Sequence, residues 1–258
     1  MSDACAVNGI SHLASSLNRS SLARSWVSVW GNVILSPSFD RTLYLWLHRL
    51  GWMGAAERRE LSEGIRAGMH VVDVGANIGL YTGLFSRLVG CDGSVISVEP
   101  VDANWQSLRR SIERNQWTNV ELHHCALAAA SGHARMVCDP LNSGNNRIEP
   151  VAAAEADTST LKTLDEIVAG RRVDLLKIDV QGWEAAVLRG GVRTLRENRP
   201  MRIFVEIWPS GLEKAGSSPR EIYGILHEAG FEIDSPAGWM GENVRSSAGY
   251  YDVVAVAR

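Results

Sequence analysis

Four carboxylates stand at or near the ends of short apolar runs: Asp73 in VVDVG at 71–75, Glu99 after VISV, Asp179 after LLKI and Glu206 in IFVEI at 203–207. Acids at strand ends can accept hydrogen bonds from hydroxyls, hold an ammonium group or take a proton from a nucleophile. Around the first two, residues 70–100 read HVVDVGANIGLYTGLFSRLVGCDGSVISVEP. Val71, Val72 and Val74 form a β-branched run, as in a strand buried on both faces. Gly75 and Gly79 bracket a tight turn, and Leu80, Leu84, Phe85 and Leu88 follow at helical spacing. Gly90 and Gly93 end that helix, VISV forms a second buried strand, and Glu99 closes the unit. Strand, glycine turn, helix, strand and acid make a nucleotide-binding half of a doubly wound sheet.

The details select the ligand. The NAD fingerprint needs G-x-G-x-x-G, but Asn77 holds the second glycine position and Leu80 the third. A phosphate loop needs a lysine that this turn lacks. What remains is a turn with Asp73 and Asn77 and a carboxylate one strand away. That suits an adenosine with a zwitterionic, positively charged tail. Glu99 can accept both ribose hydroxyls, and the turn amides with the helix N-terminus can face a methionine carboxylate. S-adenosylmethionine (SAM) fits; the alternative is a structural βαβ turn of another α/β enzyme. The cofactor-binding candidates are Asp73, Gly75, Ala76, Asn77, Gly79, Tyr81, Thr82, Glu99 and Pro100. Cys125 and Ala126, at the exit of the third strand (NVELHHCAL), join them beside the base.

Further elements must position these groups. The chain has 258 residues, room for one large domain or a domain with an appendage. Its net charge of −3 gives no basic field for nucleic acid. Cys5, Cys91, Cys125 and Cys138 show no C-x-x-C or metal spacing and read as reduced thiols of a cytoplasmic protein. Residues 1–25 lack the apolar core of a signal peptide, and no segment is long enough to span a membrane. In SWVSVWGNVIL, Trp26, Val29, Trp30, Val33 and Ile34 fall on one helical face. Residues 40–50 and 55–65 continue this pattern, so residues 1–56 are expected to form a helical extension: cap, lid or homodimer seam. Residues 57–258 form the main domain. Asp102 caps a helix to about Asn115. His123 and His124, adjacent in a strand, face opposite ways and share no metal. PLNSGNNRIEP is a polar loop, Ala152–Ser159 a connector, and Leu161, Leu164 and Ile167 mark a helix. FEID and YYDVVAVAR, too close for a crossover, pair antiparallel; the long connection between them suggests a lid.

The motifs VVDVGANIGLYT at 71–82, SVEP at 97–100, TLD at 163–165 and LLKIDVQGWEAAVLRGG at 175–191 together resemble the FkbM-type SAM-dependent methyltransferases. The resemblance covers roughly residues 57–208. It implies a seven-stranded, doubly wound, Rossmann-like class I methyltransferase sheet with the last strand antiparallel. It also implies methyl transfer, typically to a hydroxyl of a sugar or natural product. The family usually has glutamate where this chain has Gln181, so no argument needing a carboxylate there holds.

Methyl transfer from a sulfonium is an in-line displacement that needs alignment and exclusion of water. A hydroxyl nucleophile must also lose a proton. Asp179 is the first candidate for that base or for orienting the acceptor, followed by Glu206 and Glu184; Asp179 holding the methionine amine is an equal alternative. Glu184 also has a simple helix-dipole reading. Gln181, Trp183, Trp208, Asn142 and Trp239 are candidates for contact with a small-molecule or glycan acceptor. No acidic cluster announces a metal. The rival readings are a SAM-binding regulator or pseudo-enzyme, and transfer to a nitrogen or carboxylate. A nucleobase amino-methylating enzyme would carry [DN]-P-P-[YF] where this chain has DVQG.

Overall fold

The computed structural model describes residues 25–36, 59, 61–137, 147–150, 158–234, 249 and 251–257. The chain opens with β1 (Ser25–Val29) and β2 (Asn32–Ser36), then β3 (His70–Val74), α1 (Leu80–Val89), β4 (Ser94–Val98), α2 (Asp102–Asn115) and β5 (Val120–His123). Four short strands follow: β6 (Ala126–Leu127), β7 (Gly132–Val137), β8 (Arg147–Pro150) and β9 (Thr158–Lys162). The second half contains α3 (Leu164–Val168), β10 (Leu175–Ile178), α4 (Glu184–Arg189), α5 (Val192–Glu197) and β11 (Arg202–Ile207). It ends with α6 (Pro209–Lys214), α7 (Pro219–Glu228), β12 (Phe231–Asp234) and β13 (Tyr251–Ala257).

The main sheet has seven strands in the order β12-β13-β11-β10-β3-β4-β5. Strands β11, β10, β3, β4 and β5 run parallel, and β13 lies antiparallel to both neighbours. Chain order reverses between β3 and β10, the switch point at which such sheets bind ligands beyond their carboxyl ends. Side-chain alternation splits the core. Val72, Val74, Leu176, Ile178, Ile203 and Val205 face one apolar layer, while Val71, Leu175 and Phe204 face the other with Phe85 and Val89.

The segment 25–36 is a β-hairpin, not the expected helix, so a helical homodimer seam is absent there. Trp30 and Gly31 both have positive φ (51° and 80°), as a two-residue hairpin turn requires. Val27 and Val29 are buried while Trp26 and Ser28 are exposed, a period of two. The hairpin lies on α2. Asn115 Nδ2 donates to the Val33 carbonyl (2.7 Å), and Val33 N–H donates to Asn115 Oδ1 (2.8 Å). Leu35 N–H donates to Ser111 Oγ (3.0 Å). Of the segment 55–65, Arg59, Leu61 and Ser62 are helical, and Glu63 N–H donates to the Arg59 carbonyl at 2.8 Å. Residues 1–24 and 40–50 lie outside the described residues.

Two further expectations are corrected. Strands β6 to β9 build a second sheet in the order β6-β9-β7-β8, so Leu161 lies in a strand and the helix begins only at Leu164. Thr163 caps that helix through a reciprocal box with Glu166. Asp102 is the first residue of α2 rather than its cap, which is Val101.

Candidate active site

The glycine turn is shaped by its own backbone. Gly75 and Ala76 N–H both donate to the Val98 carbonyl (3.0 Å each), and Gly79 N–H donates to the Ala76 carbonyl at 2.9 Å. Gly75, Asn77 and Gly79 have φ of 80°, 50° and 92°. Asparagine tolerates this region better than most side chains. At Gly75 a Cβ would collide with the backbone carbonyl of Asp179, so the missing side chain lets the β3 turn and the end of β10 touch.

Glu99 is buried at the end of β4. Its Oε2 accepts from Asn77 N–H (2.9 Å), and its Oε1 accepts from Val101 N–H (3.0 Å) and Asn104 Nδ2 (3.4 Å). A carboxylate offers about four lone-pair positions, so Oε2 keeps room for one more donor. That leaves too few free positions for the expected acceptance from two ribose hydroxyls. The turn amides are also engaged: those of Gly75, Ala76, Asn77 and Gly79 all donate within the protein, so they do not face a methionine carboxylate as expected. Burial pushes the Glu99 carboxyl up to about 7, against the pull of these donors.

A second acidic group forms at the end of β10. Lys177 is buried, with Nζ 3.2 Å from Asp179 Oδ2 and 3.8 Å from Asp73 Oδ1, and 5.1 Å from the centre of the Tyr81 ring. Asp179 keeps 30% of its side chain exposed. Gln181 Nε2 donates to both Asp179 Oδ1 (3.0 Å) and Glu206 Oε2 (2.7 Å). Burial opposes ionisation of Asp179, but Lys177 beside it and hydrogen bonds from Gln181 and Glu206 hold it below the usual carboxylate range. Burial and then the Asp179 charge push Glu206 up to about 10. At neutral pH the pair thus holds one charge, on Asp179, and one proton, on Glu206. Gln181 sits at φ 55° and Gly182 at 100°. Glu184 clamps this turn, with Oε1 accepting from Gly182 N–H (2.9 Å) and Val180 N–H (3.3 Å). Glu184 therefore supports the turn rather than facing the cleft.

These groups border an open cleft of about 630 Å³, lined by Gly75, Asn77, Glu99–Val101, Cys125–Leu127 and Asp179–Gln181. Met136 and Ile148 cover it from the second sheet, where they are cross-strand partners. Sequence reasoning missed both, because nothing in their spacing says that the short sheet folds over the cleft. Of the other candidates, Asp73 and Thr82 are fully buried beneath the turn, with Thr82 Oγ1 donating to Asp73 Oδ2 at 2.7 Å. Burial raises the Asp73 carboxyl against the pull of Lys177 and Thr82. Ala76 belongs to the apolar cluster of Ile34, Ile78, Leu108 and Trp117. Gly79 packs against Leu108, and Tyr81 against Trp30 and Phe85. Trp183 and Trp208 line a neighbouring cavity that shares Gln181 with the cleft. Glu206 reaches the cleft through Gln181. Asn142 and Trp239 lie outside the described residues. His123 pairs with Glu121 and His124 stacks on Trp105 (4.7 Å), both away from the cleft. Among the described residues no group of three or more His, Cys, Asp or Glu could hold a metal.

The cleft fits SAM. Cys125–Leu127 with Met136 and Ile148 offer an apolar slot for a base, and Glu99 keeps an acceptor for a hydroxyl. Known proteins agree. The family described as "Methyltransferase FkbM domain" matches residues 73–233, more than half of the chain. Methyltransferase 1 of Beauveria bassiana (strain ARSEF 2860) is 27% identical over 143 residues, 46% of this chain and 57% of that protein. Methyltransferase sdnD of Sordaria araneosa is 26% identical over 199 residues, 63% and 73% of the two chains. The crystal structure of methyltransferase FkbM from Methylobacillus flagellatus KT superposes with a TM-score of 0.51 at 15% identity, over 84% of this chain and 54% of that one. The chain thus spans little more than half the length of two of these relatives. A glycine turn ending at a buried acid, an ionised aspartate across the switch point and the matched domain lead to one conclusion: the chain belongs to the FkbM methyltransferase family, and its cofactor is SAM.

Proposed function

We propose that the protein methylates a hydroxyl of a small molecule, such as a sugar or natural product, with Asp179 as the proton acceptor. The observation that carries this reading is the geometry of Asp179: it lines the cleft, is partly exposed there and has the Lys177 ammonium at 3.2 Å, while burial beside that charge favours the proton on Glu206. Bound SAM supplies a methyl group on a positively charged sulfur, already activated for displacement. What the chain adds is position and a proton sink. Glu99 Oε2 would accept from one ribose hydroxyl, and the backbone of Cys125 and Ala126 would border the base. Lys177, buried against Asp73 and Tyr81, keeps the Asp179 carboxylate in place and ionised. As the acceptor oxygen forms its bond to the methyl carbon and the sulfur–carbon bond breaks, Asp179 takes the hydroxyl proton. Met136 and Ile148 help exclude water, which would otherwise compete as acceptor.

The test is transfer of tritiated methyl from SAM to a panel of glycosides and hydroxylated metabolites. Label that survives mild alkali and maps to an oxygen is an ether and supports the reading. Label released as methanol marks an ester, and label on an amine marks N-transfer; either refutes it. SAM binding with no transfer to any acceptor would favour a binding protein over an enzyme.

A further inference from the structure

Beside the cofactor cleft lies a second cavity of about 680 Å³, and Gln181 and Ile148 line both. Its remaining walls include Trp183, Trp208 and Lys214. Two glycines shape it. A Cβ at Gly182 would strike the Gly211 backbone, and a Cβ at Gly211 would strike the Trp208 ring. Their absence lets the start of α6 lie directly on the turn after β10 and seats the Trp208 indole against bare backbone. The Lys214 ammonium lies 5.4 Å from the Trp208 ring centre. Lys214 is exposed, and among the described residues no carboxylate pairs with it.

At the opposite end, hydrogen-bonding capacity is left over. Gln181 Nε2 is engaged by two acids, which fixes the amide orientation, and the Oε1 that results is buried without a donor among the described residues. Trp183 Nε1 is likewise buried without an acceptor. Both residues line the cavity, and among the described residues neither atom has a partner, so a group entering there would have hydrogen bonds to complete. The residues that line the cavity therefore bring a flat aromatic wall, a cation on its rim, and an amide and an indole N–H with hydrogen-bonding capacity left over near Asp179.

The geometry points to this cavity as the acceptor subsite, and to the acceptor as a hydroxylated carboxylic acid built on a flat-faced ring. The ring lies on Trp208 and Trp183, its carboxylate meets Lys214, and its hydroxyl end meets Gln181 and Asp179. Aromatic rings and the C–H faces of sugars present the same flat apolar chemistry to an indole, so both are candidate rings. The assignment rests on the hydroxyl-acceptor reading above and adds the charge and shape of the acceptor to it.

Matched probes test it in enzyme saturated with S-adenosylhomocysteine. One pair is 4-hydroxybenzoate and 4-hydroxybenzamide; the other is phenyl β-D-glucuronide and phenyl β-D-glucoside. Affinities are read by calorimetry and tryptophan fluorescence. In at least one pair the acid should bind about fivefold tighter than its neutral twin, the most that an ion pair to an exposed lysine gives. Lys214→Met should erase that ratio and leave both the neutral twin and S-adenosylhomocysteine unaffected. Trp208→Leu should weaken both members of the pair. The pair that responds identifies the ring. Equal binding within both pairs, no binding of any probe, or a preference for the acid that survives in Lys214→Met overturns the assignment. Hydroxyl methylation that is indifferent to Lys214 would sink this inference alone. A Lys214-dependent acid preference with the label found only on nitrogen or ester would instead sink the hydroxyl reading.

Discussion

Glu206→Gln should leave methyl transfer almost intact, while Asp179→Asn should disable it, although the two side chains share a hydrogen-bond network. Glu206 already holds its proton at neutral pH, because burial and the neighbouring Asp179 charge push it up to about 10. Glutamine reproduces that neutral state: its carbonyl still accepts from Gln181 Nε2, and its amide can donate to Asp179 as the carboxylic acid does. The expected change in kcat is under about fivefold, less than 1 kcal/mol in barrier. Asp179 carries the charge. Its attraction to Lys177 at 3.2 Å is about 5 kcal/mol gross at an effective dielectric of 20, which shows why the ionised form persists despite burial. Asp179→Asn keeps the shape and loses the proton acceptor, so kcat should fall by roughly 10²–10⁴ with SAM affinity nearly unchanged. The assay is initial rate at saturating SAM over a wide pH range, with SAM affinity from calorimetry. Wild-type enzyme should change rate near pH 10, where Glu206 loses its proton and a second negative charge appears beside Asp179; Glu206→Gln should lack that change. If Glu206→Gln is as damaged as Asp179→Asn, the one-charge, one-proton division is wrong. If Asp179→Asn loses SAM affinity first, Asp179 holds the cofactor amine and is not the base.

Four other outcomes follow from the same geometry. Glu99→Ala should weaken SAM by about 2–3 kcal/mol, the scale of a charge-assisted hydrogen bond lost at a buried site; unchanged affinity by calorimetry removes Glu99 from the ribose. Glu99 and Glu184 are both raised by burial from 4.5 to about 7, so the folded protein binds more protons than the unfolded chain between those values. Stability should therefore fall as pH rises through that window, and Glu184→Gln should recover up to roughly 3 kcal/mol at pH 8 but little at pH 4; thermal melts that show no such gain refute the raised state. Asn115→Ala removes both side-chain bonds to Val33 and should cost about 1–3 kcal/mol. Removing residues 25–36 should lower SAM affinity as well as turnover, because Ile34 packs in one cluster with Ala76 and Ile78 of the cofactor turn; full SAM affinity in a folded truncated chain would show that the hairpin gives the turn no support.

The parallel core was legible because strands buried on both faces are short, largely apolar runs, and the first and the fourth hand over to glycine-bearing turns. The runs ending at Glu99 and Asp179 carried that apolar signature. The hairpin did not. Over so short a segment, Trp26, Val29, Trp30, Val33 and Ile34 satisfy a helical stripe, and only the buried Val27 and exposed Ser28 break it in favour of a strand. Asp73 misled in another way. A polar residue in a buried strand reads as a ligand, but β3 and β10 place Asp73 directly beside Lys177. That register, invisible in one dimension, makes Asp73 a buried brace for the lysine that holds Asp179.

Gln181 shows how far a single departure reaches. The resemblance implies a glutamate at this position, and in the present geometry that would put a third carboxylate against Asp179 and Glu206, with Lys177 the cation paired to that cluster among the described residues. Like charges at hydrogen-bond distance cannot all ionise, so one acid would lose its charge or the turn would open. An amide avoids the conflict by donating one N–H to each acid. Asp179 can then stay ionised at the cleft while Glu206 keeps its proton behind it. The cost is a left-handed backbone at a residue other than glycine, held by the Glu184 clamp on the next turn of chain. It also leaves the Gln181 carbonyl oxygen buried with no donor among the described residues. The residue that removes one carboxylate from the family pattern thereby supplies the donor that joins Asp179 to Glu206 and, under the function proposed above, a group next to the acceptor as well.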